Sequence, residues 1–216
     1  MELLAQTWLY IVENADRVRE AVLVHLGLSL GALCIAMIIF IPIGVLASMG
    51  GKLTSAIIGA VAAIRVIPSL AVILLLLPVF GLGWKPALIA LTVLAGPPLV
   101  INTDIGLRSV DLATLEAATG LGLTGAQRFW RVKLPLALPV IIAGVRSAAV
   151  EVIGSATLAA FVGAGGLGAF ITSGITLMDE RMLFTGAILV TLLALSAEAM
   201  LARLERAITP AGTSPA

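Results

Sequence analysis

Long unbroken apolar runs organise this chain, with no sustained alternation of apolar and polar positions. The runs extend from about Val22 to Ala47, Ala56 to Phe80, Ala87 to Ile105, Pro139 to Phe161 and Met182 to Leu201. Each approaches the roughly 20 residues that a helix needs to cross a bilayer. Backbone polar groups in lipid must be satisfied within the segment, which a helix does. The pattern therefore predicts an all-α, polytopic membrane protein of about five transmembrane helices, with residues 1–216 forming a single domain. An earlier run, Leu3–Val12, is too short to span and is expected to lie in the membrane interface. With Glu2 before it, Glu13, Asp16 and Glu20 behind it and no basic leader, residues 1–20 read as an external or interfacial segment, not a cleavable signal.

Prolines and glycines punctuate the spans. Arg65, Pro68 and Pro78 interrupt the second, Pro97-Pro98 is expected to bend the third, and Pro42 lies near the end of the first. Proline leaves a carbonyl unpaired, which lipid cannot satisfy but a neighbouring helix or a water-filled cavity can. Bent helices around a pathway are one reading, and simple helix shape is the other. Gly27-Leu-Ser-Leu-Gly31 sets two glycines one turn apart and predicts close helix contact.

Composition sharpens the picture. Sixty per cent of residues are hydrophobic and 12% charged, and mean hydropathy is +1.16, too little charge to cover a water-facing surface. A net charge of +1 with no basic aromatic face argues against nucleic acid. The single cysteine, Cys34, allows no intrachain disulfide, and the single histidine, His25, is not enough for a metal site, so none is expected. His25, at the start of the first span, reads as an interfacial anchor.

Charge also orients the chain. The longest hydrophilic stretch, residues 106–138, carries Arg108, Arg128, Arg131 and Lys133 against Asp111 and Glu116. The positive-inside rule places it in the cytoplasm. Five crossings put Lys52, Arg203 and Arg206 on the same side. Glu2, Glu13, Asp16, Glu20, Asp179 and Glu180 then lie outside, giving an external N-terminus and an internal C-terminus.

Within that loop, Asp111 is expected to cap a short helix, Leu112–Thr119, ended by Gly120. Thr124-Gly-Ala-Gln127 has the spacing of a capping box opening a second helix, which Pro135 is expected to close. Two short helices about a glycine bend make a rigid knob that could seat in a partner's groove and pass its movement to the adjoining spans.

At these residues the chain resembles a known family. Glu116-Ala117-Ala118, Gly122, Val132, Leu134 and Pro135 match in spacing the EAA motif of ATP-binding-cassette importer permeases, with Val132 standing where the pattern has isoleucine. Ile67-Pro68-Ser69-Leu70-Ala71, Arg108-Ser-Val-Asp111, Leu134 to Pro139 and Ala156 to Gly168 are similar to its osmoprotectant branch, whose members import glycine betaine, choline, carnitine and related quaternary amines. Arg65 and Glu151 depart from that branch's pattern, which has glutamine at the first and an aromatic residue near the second.

The resemblance implies a type I importer fold like that of methionine permeases, with cytoplasmic coupling helices. It implies a second permease copy, identical or similar, and an ATPase subunit dimer that carries ATP and Mg and docks on the coupling loop. An external substrate-binding protein and a place in a bacterial or archaeal inner membrane follow as well. Another small solute, such as an amino acid, is the alternative cargo.

The candidate pathway residues are Arg65, Pro68, Ser69, Glu151 and Thr157. Arg65 and Glu151 are the two conspicuous charges near membrane depth, where an unpaired charge costs at least ~2.5 kcal/mol. They are expected to pair or face one water-filled cavity, or else to snorkel to the interface. Glu198 reads as interfacial. Two G-x-G-x-x-G stretches, Gly120–Gly125 and Gly163–Gly168, follow no strand and predict no dinucleotide site; the second suggests an external turn near the pathway. No G-x-x-x-x-G-K-[ST] loop occurs, so neither an ATP site nor catalysis is expected in this chain. A secondary transporter using Arg65 and Glu151 as coupling charges, and a structural membrane subunit, are the rival readings.

The orientation is testable. On a Cys34-free background, single cysteines at Gly166 and Asp179 should react with an impermeant thiol label from outside, and one at Ser109 only from inside. External labelling at Ser109 would reverse the topology.

Overall fold

The computed structural model describes residues 2–208, and every regular element among them is helical. In chain order these are α1 (Glu2–Glu13), α2 (Ala15–Ala47), α3 (Gly51–Val66), α4 (Ser69–Leu75), α5 (Leu77–Phe80), α6 (Trp84–Arg108), α7 (Leu112–Gly120), α8 (Gly125–Arg128), a π-helical turn (Phe129–Lys133), α9 (Leu134–Ser155), a 3₁₀ segment (Ala156–Val162), α10 (Gly168–Leu177) and α11 (Glu180–Ile208). By length and apolarity α2, α6, the continuous rod Gly125–Val162 and α11 can each cross a membrane. Counting the bent pair α3 and α4–α5 as one span brings the number to five.

Four boundaries differ from the sequence reading. The first span starts at Ala15, since the polar turns before Val22 continue the same helix. The second is broken: Ile67, pushed into an extended conformation by Pro68, separates α3 from α4, and the two arms meet at 95°. Pro135 closes nothing. It sits in the first turn of α9, downstream of a π turn in which the Leu134 amide donates to Phe129 five residues back. The widened turn lets the ring pass without breaking the helix. Finally α10, a ten-residue apolar helix, occupies a stretch read as connection. The end of the chain, expected inside, lies outside the described residues.

The interior is built around α6, flanked by α2 and α9 and capped by α3 and α4. Lipid offers no hydrophobic drive between helices, so contact depends on close van der Waals fit and small residues. A Cβ built on Gly44 of α2 would lie 2.5 Å from Thr103 Cβ, and one on Gly96 of α6 would meet the Phe40 ring at 2.8 Å. On the other side, a Cβ on Gly144 of α9 would lie 2.6 Å from Asn102 Cβ and 3.0 Å from the Pro98 carbonyl. These glycines make the close seams. The expected pair does not: Gly27 has open space at its Cβ position, and Gly31 has only an ordinary contact with Leu88.

Polar ties lock the ends. Arg108 pairs with the buried Asp104 at 2.7 Å, and its other arm donates to the Ala47 carbonyl at 3.0 Å and Thr54 Oγ1 at 2.8 Å. The end of α6 is thereby fixed to the α2–α3 turn. Arg146 of α9 lies 3.4 Å from Glu198 and 3.2 Å from Glu205 of α11. Glu198, expected at the interface, is thus an ion-pair partner of Arg146.

At the opposite end α1 packs beside the start of α11, with the Arg181 guanidinium 5.9 Å over the Tyr10 ring and Phe170 edge-on to the same ring at 6.5 Å. Leu4, Trp8, Leu9 and Val12 of α1 remain exposed. Asp179 precedes α11, and the hydrogen bond from Arg181 holds its carboxyl below the ordinary value.

Gly144→Ala should lower the thermal stability of the detergent-solubilised chain by the ~1–3 kcal/mol typical of overpacking. Gly27→Ala, in open space within a helix, should leave it unchanged or raise it by up to ~1 kcal/mol. Equal effects in a melting assay would contradict the assigned seams.

Candidate functional site

The loop between α6 and α9 folds as a knob whose shape is set by backbone hydrogen bonds. Asp111 occupies the N-cap position of α7, but its carboxylate accepts from the Thr114 hydroxyl at 3.4 Å and from no backbone amide. The helix stops in a Schellman turn. Leu123 N–H donates to Ala118 O at 3.2 Å, and Gly122 N–H donates to Thr119 O at 2.9 Å. Gly122, at φ +81°, takes the left-handed conformation; Gly120, expected as the terminator, is the last helical residue.

Thr124 then opens α8 with both halves of a capping box. Gln127 N–H donates to Thr124 Oγ1 at 3.3 Å, and Thr124 N–H donates to Gln127 Oε1 at 3.0 Å. Arg128 donates to Thr119 Oγ1 and ties the two short helices together.

The knob has an inner and an outer face. Leu115, Phe129 and Leu134 pack onto a cluster of Leu107 at the end of α6, Val110 in the turn that follows, and Ala137 and Ile141 of α9. Ala118 is buried, while Glu116 and Ala117 are exposed. Leu112, Leu121 and Trp130 stand 72%, 82% and 66% exposed, leaving apolar surface without a partner in the isolated chain. A groove of about 400 Å³ runs between the two arms, lined in part by Glu116, Arg128 and Lys133. Val132 belongs to the π turn, and Pro135 stands exposed just beyond it. The seating residues Leu115 and Phe129 carry no part of the motif, and nothing in the sequence separates them from exposed apolar neighbours such as Leu112 and Trp130.

A second feature lies at the break in the second span. Arg65, on the last turn of α3, Pro68 in the break, and Ser69 on the first turn of α4 line one cavity of about 220 Å³ with Glu151 of α9. Pro97 and Ser155 complete its polar and kinked wall. Ser155 follows Glu151 by four residues, so the two share a helix face, a spacing visible in the sequence. Arg65 and Glu151 form no direct ion pair with each other among the described residues. Thr157 is not brought to this cavity. Its hydroxyl donates back to Gly154 O at 2.7 Å, and its carbonyl occupies the place a Cβ on Gly168 would need.

His25 is not an interfacial anchor. It is fully buried, and Nε2 lies 3.0 Å from the Ile153 carbonyl near the α-to-3₁₀ junction of the long rod. It packs under the glycine turn, where a Cβ on Gly166 would sit 3.3 Å from Nδ1. Gly166 has φ +79°, so Asp179 is the better of the two positions for a labelling cysteine.

Comparison with known proteins decides what these features belong to. Residues 40–210 match the family described as the binding-protein-dependent transport system inner membrane component. The chain belongs to that family.

Among relatives of this permease, the carnitine transport permease protein OpuCB of Listeria monocytogenes is 39% identical over 201 residues, covering 93% of this chain and 92% of the relative. The choline transport system permease protein OpuBB of Bacillus subtilis is 40% identical, with 87% of each covered. The osmoprotectant import permease protein OsmW of Salmonella typhimurium is 38% identical, covering 94% of this chain and 97% of the relative. In fold, the chain is similar to the MetNI methionine ABC transporter in an inward-facing conformation, with a TM-score of 0.83 at 23% identity and coverage of 92% and 99%. An amino acid ABC transporter gives 0.74 at 20% identity, covering 92% of this chain and 97% of that one. The all-α importer-permease fold expected from the resemblance is the fold observed.

Proposed function

We propose that this permease forms half of the translocation path of an ATP-driven importer of small quaternary-amine osmoprotectants, and that the α7–α8 knob couples the path to an ATPase. The observation that carries the reading is the knob's construction. Its shape is fixed by the Schellman turn at Gly122 and the capping box at Thr124. Its inner face is seated on the ends of α6 and α9, and its outer face leaves Leu112, Leu121 and Trp130 for a partner. Movement of such a body is passed directly to two spans.

The positive charge near the knob supports a cytoplasmic position, an external N-terminus and an internal C-terminus. An ATPase dimer carrying ATP and Mg would then dock from inside. A second permease copy would close the path, and an external binding protein would deliver solute. Carnitine, choline and other osmoprotectants in the relatives' names support the cargo class. Quaternary ammonium suits an aromatic cage on that binding protein. Arg65, Pro68, Ser69 and Glu151, around one cavity, are the proposed pathway residues.

Glu116→Lys reverses a charge on the exposed face of α7. Gly122→Val puts a β-branched residue at a positive φ, a costly conformation, although no neighbour lies within 4 Å of its Cβ position. Both variants should insert and pair normally yet lose transport, with ATP hydrolysis either abolished or no longer stimulated by loaded binding protein. Uptake and ATPase activity in proteoliposomes of the whole complex measure this. Full, substrate-stimulated transport by both variants would remove the knob from the mechanism, and ion-gradient uptake by the permease alone would favour the secondary-transporter reading.

A further inference from the structure

We propose that the cavity at the α3–α4 break is a solute subsite in which Arg65 and Glu151 together read a zwitterion. The guanidinium takes a carboxylate, and Glu151 takes the quaternary ammonium. The inference rests on the importer reading above and assigns solute discrimination to the permease itself, not to the binding protein alone.

Three features of the cavity lead here. First, two opposite charges line one space of about 220 Å³, a volume suited to a solute of amino-acid size. They do so without closing onto each other in a direct ion pair among the described residues. A charge at membrane depth that lacks a bonded partner is costly and is found facing water-filled paths and ligands.

Second, the wall provides one group of each kind. A guanidinium presents a planar fork that matches a carboxylate in a bidentate pair. No aromatic ring is among the lining residues, so cation–π recognition of a quaternary ammonium is not available there. Glu151 is the anionic group lining the cavity.

Third, the break itself makes the site. Pro68 forces the chain to turn between Arg65 and Ser69, presenting the end of one arm and the start of the next to the Glu151–Ser155 face of α9.

The solutes of the proposed cargo class divide on this chemistry. Choline carries a quaternary ammonium and a hydroxyl. Glycine betaine and carnitine carry a quaternary ammonium and a carboxylate. Removing the Arg65 charge should therefore penalise the carboxylated solutes selectively, whereas removing the Glu151 charge should penalise all of them.

The test is competitive ATP-driven uptake of labelled glycine betaine and choline by the whole complex in proteoliposomes. The same binding protein is used throughout, so a changed ratio belongs to the permease. Arg65→Gln should lower glycine betaine uptake relative to choline by about tenfold or more, the scale of a lost charge-assisted hydrogen bond. Arg65→Lys, which keeps the charge without the fork, should give a ratio between those of Arg65→Gln and wild type, and Glu151→Gln should reduce both solutes. Should Arg65→Gln fail to assemble, R65Q/E151Q leaves no unbalanced charge, and its ratio should shift in the same sense relative to Glu151→Gln alone.

Loss of both solutes by the same factor in Arg65→Gln relative to wild type, or in R65Q/E151Q relative to Glu151→Gln, overturns the subsite and leaves Arg65 a structural charge. If the wild-type complex moves neither solute but does move another, the cargo reading fails first, and the subsite with it. If wild type moves both and only the ratio is unmoved, the importer reading stands and this inference alone is lost.

Discussion

A helix in lipid gains nothing by hiding apolar surface from water, so the close approach of α2 and α9 to the two sides of α6 has to come from shape. Gly44 and Gly96 admit Thr103 and Phe40 on one side, and Gly144 admits Asn102 and the Pro98 carbonyl on the other. No methyl group fits at these places without movement. Because α6 is held from both sides, its end can be tied by Arg108 to the α2–α3 turn. The Leu107–Ile141 cluster that seats the knob then has fixed walls.

The knob and the cavity are joined through the same elements. α7 follows directly from α6, and α8 runs through the π turn into α9. α6 supplies Pro97 and α9 supplies Glu151 and Ser155 to the cavity at the α3–α4 break. A displacement applied at Leu121 would therefore travel through two continuous helices to the walls around Arg65. Such transmission requires that the knob keep its own shape, which the Schellman turn and the capping box provide locally.

Much of this was legible in the sequence because it depends on local chemistry. The apolar runs, the capping box at Thr124 and the interruption at Pro68 are all written in adjacent residues. What failed depended on facing. Gly27 and Gly31 have the spacing of a contact motif, but spacing does not say which side of a helix meets a neighbour, and the seams fell to Gly44, Gly96 and Gly144 instead. His25 read as interfacial because it lies near a helix end, while its partner, the Ile153 carbonyl, is 128 positions away. Pro135 read as a stop because a π turn has no simple signature. Arg146 passed unnoticed, although its partners Glu198 and Glu205 lie seven apart, two turns along one face of α11.

The central claim is that the exposed tip of the knob is where an ATPase takes hold. Cross-linking tests it most directly, with a cysteine at Leu121 on a Cys34-free background in the assembled complex. A second cysteine at Leu82, 76% exposed in the α5–α6 turn at the opposite end of α6, is the control. Leu121→Cys should give a permease–ATPase adduct whose yield changes when ATP binds, and Leu82→Cys should give none. An adduct at position 82 but not at 121 would contradict the account.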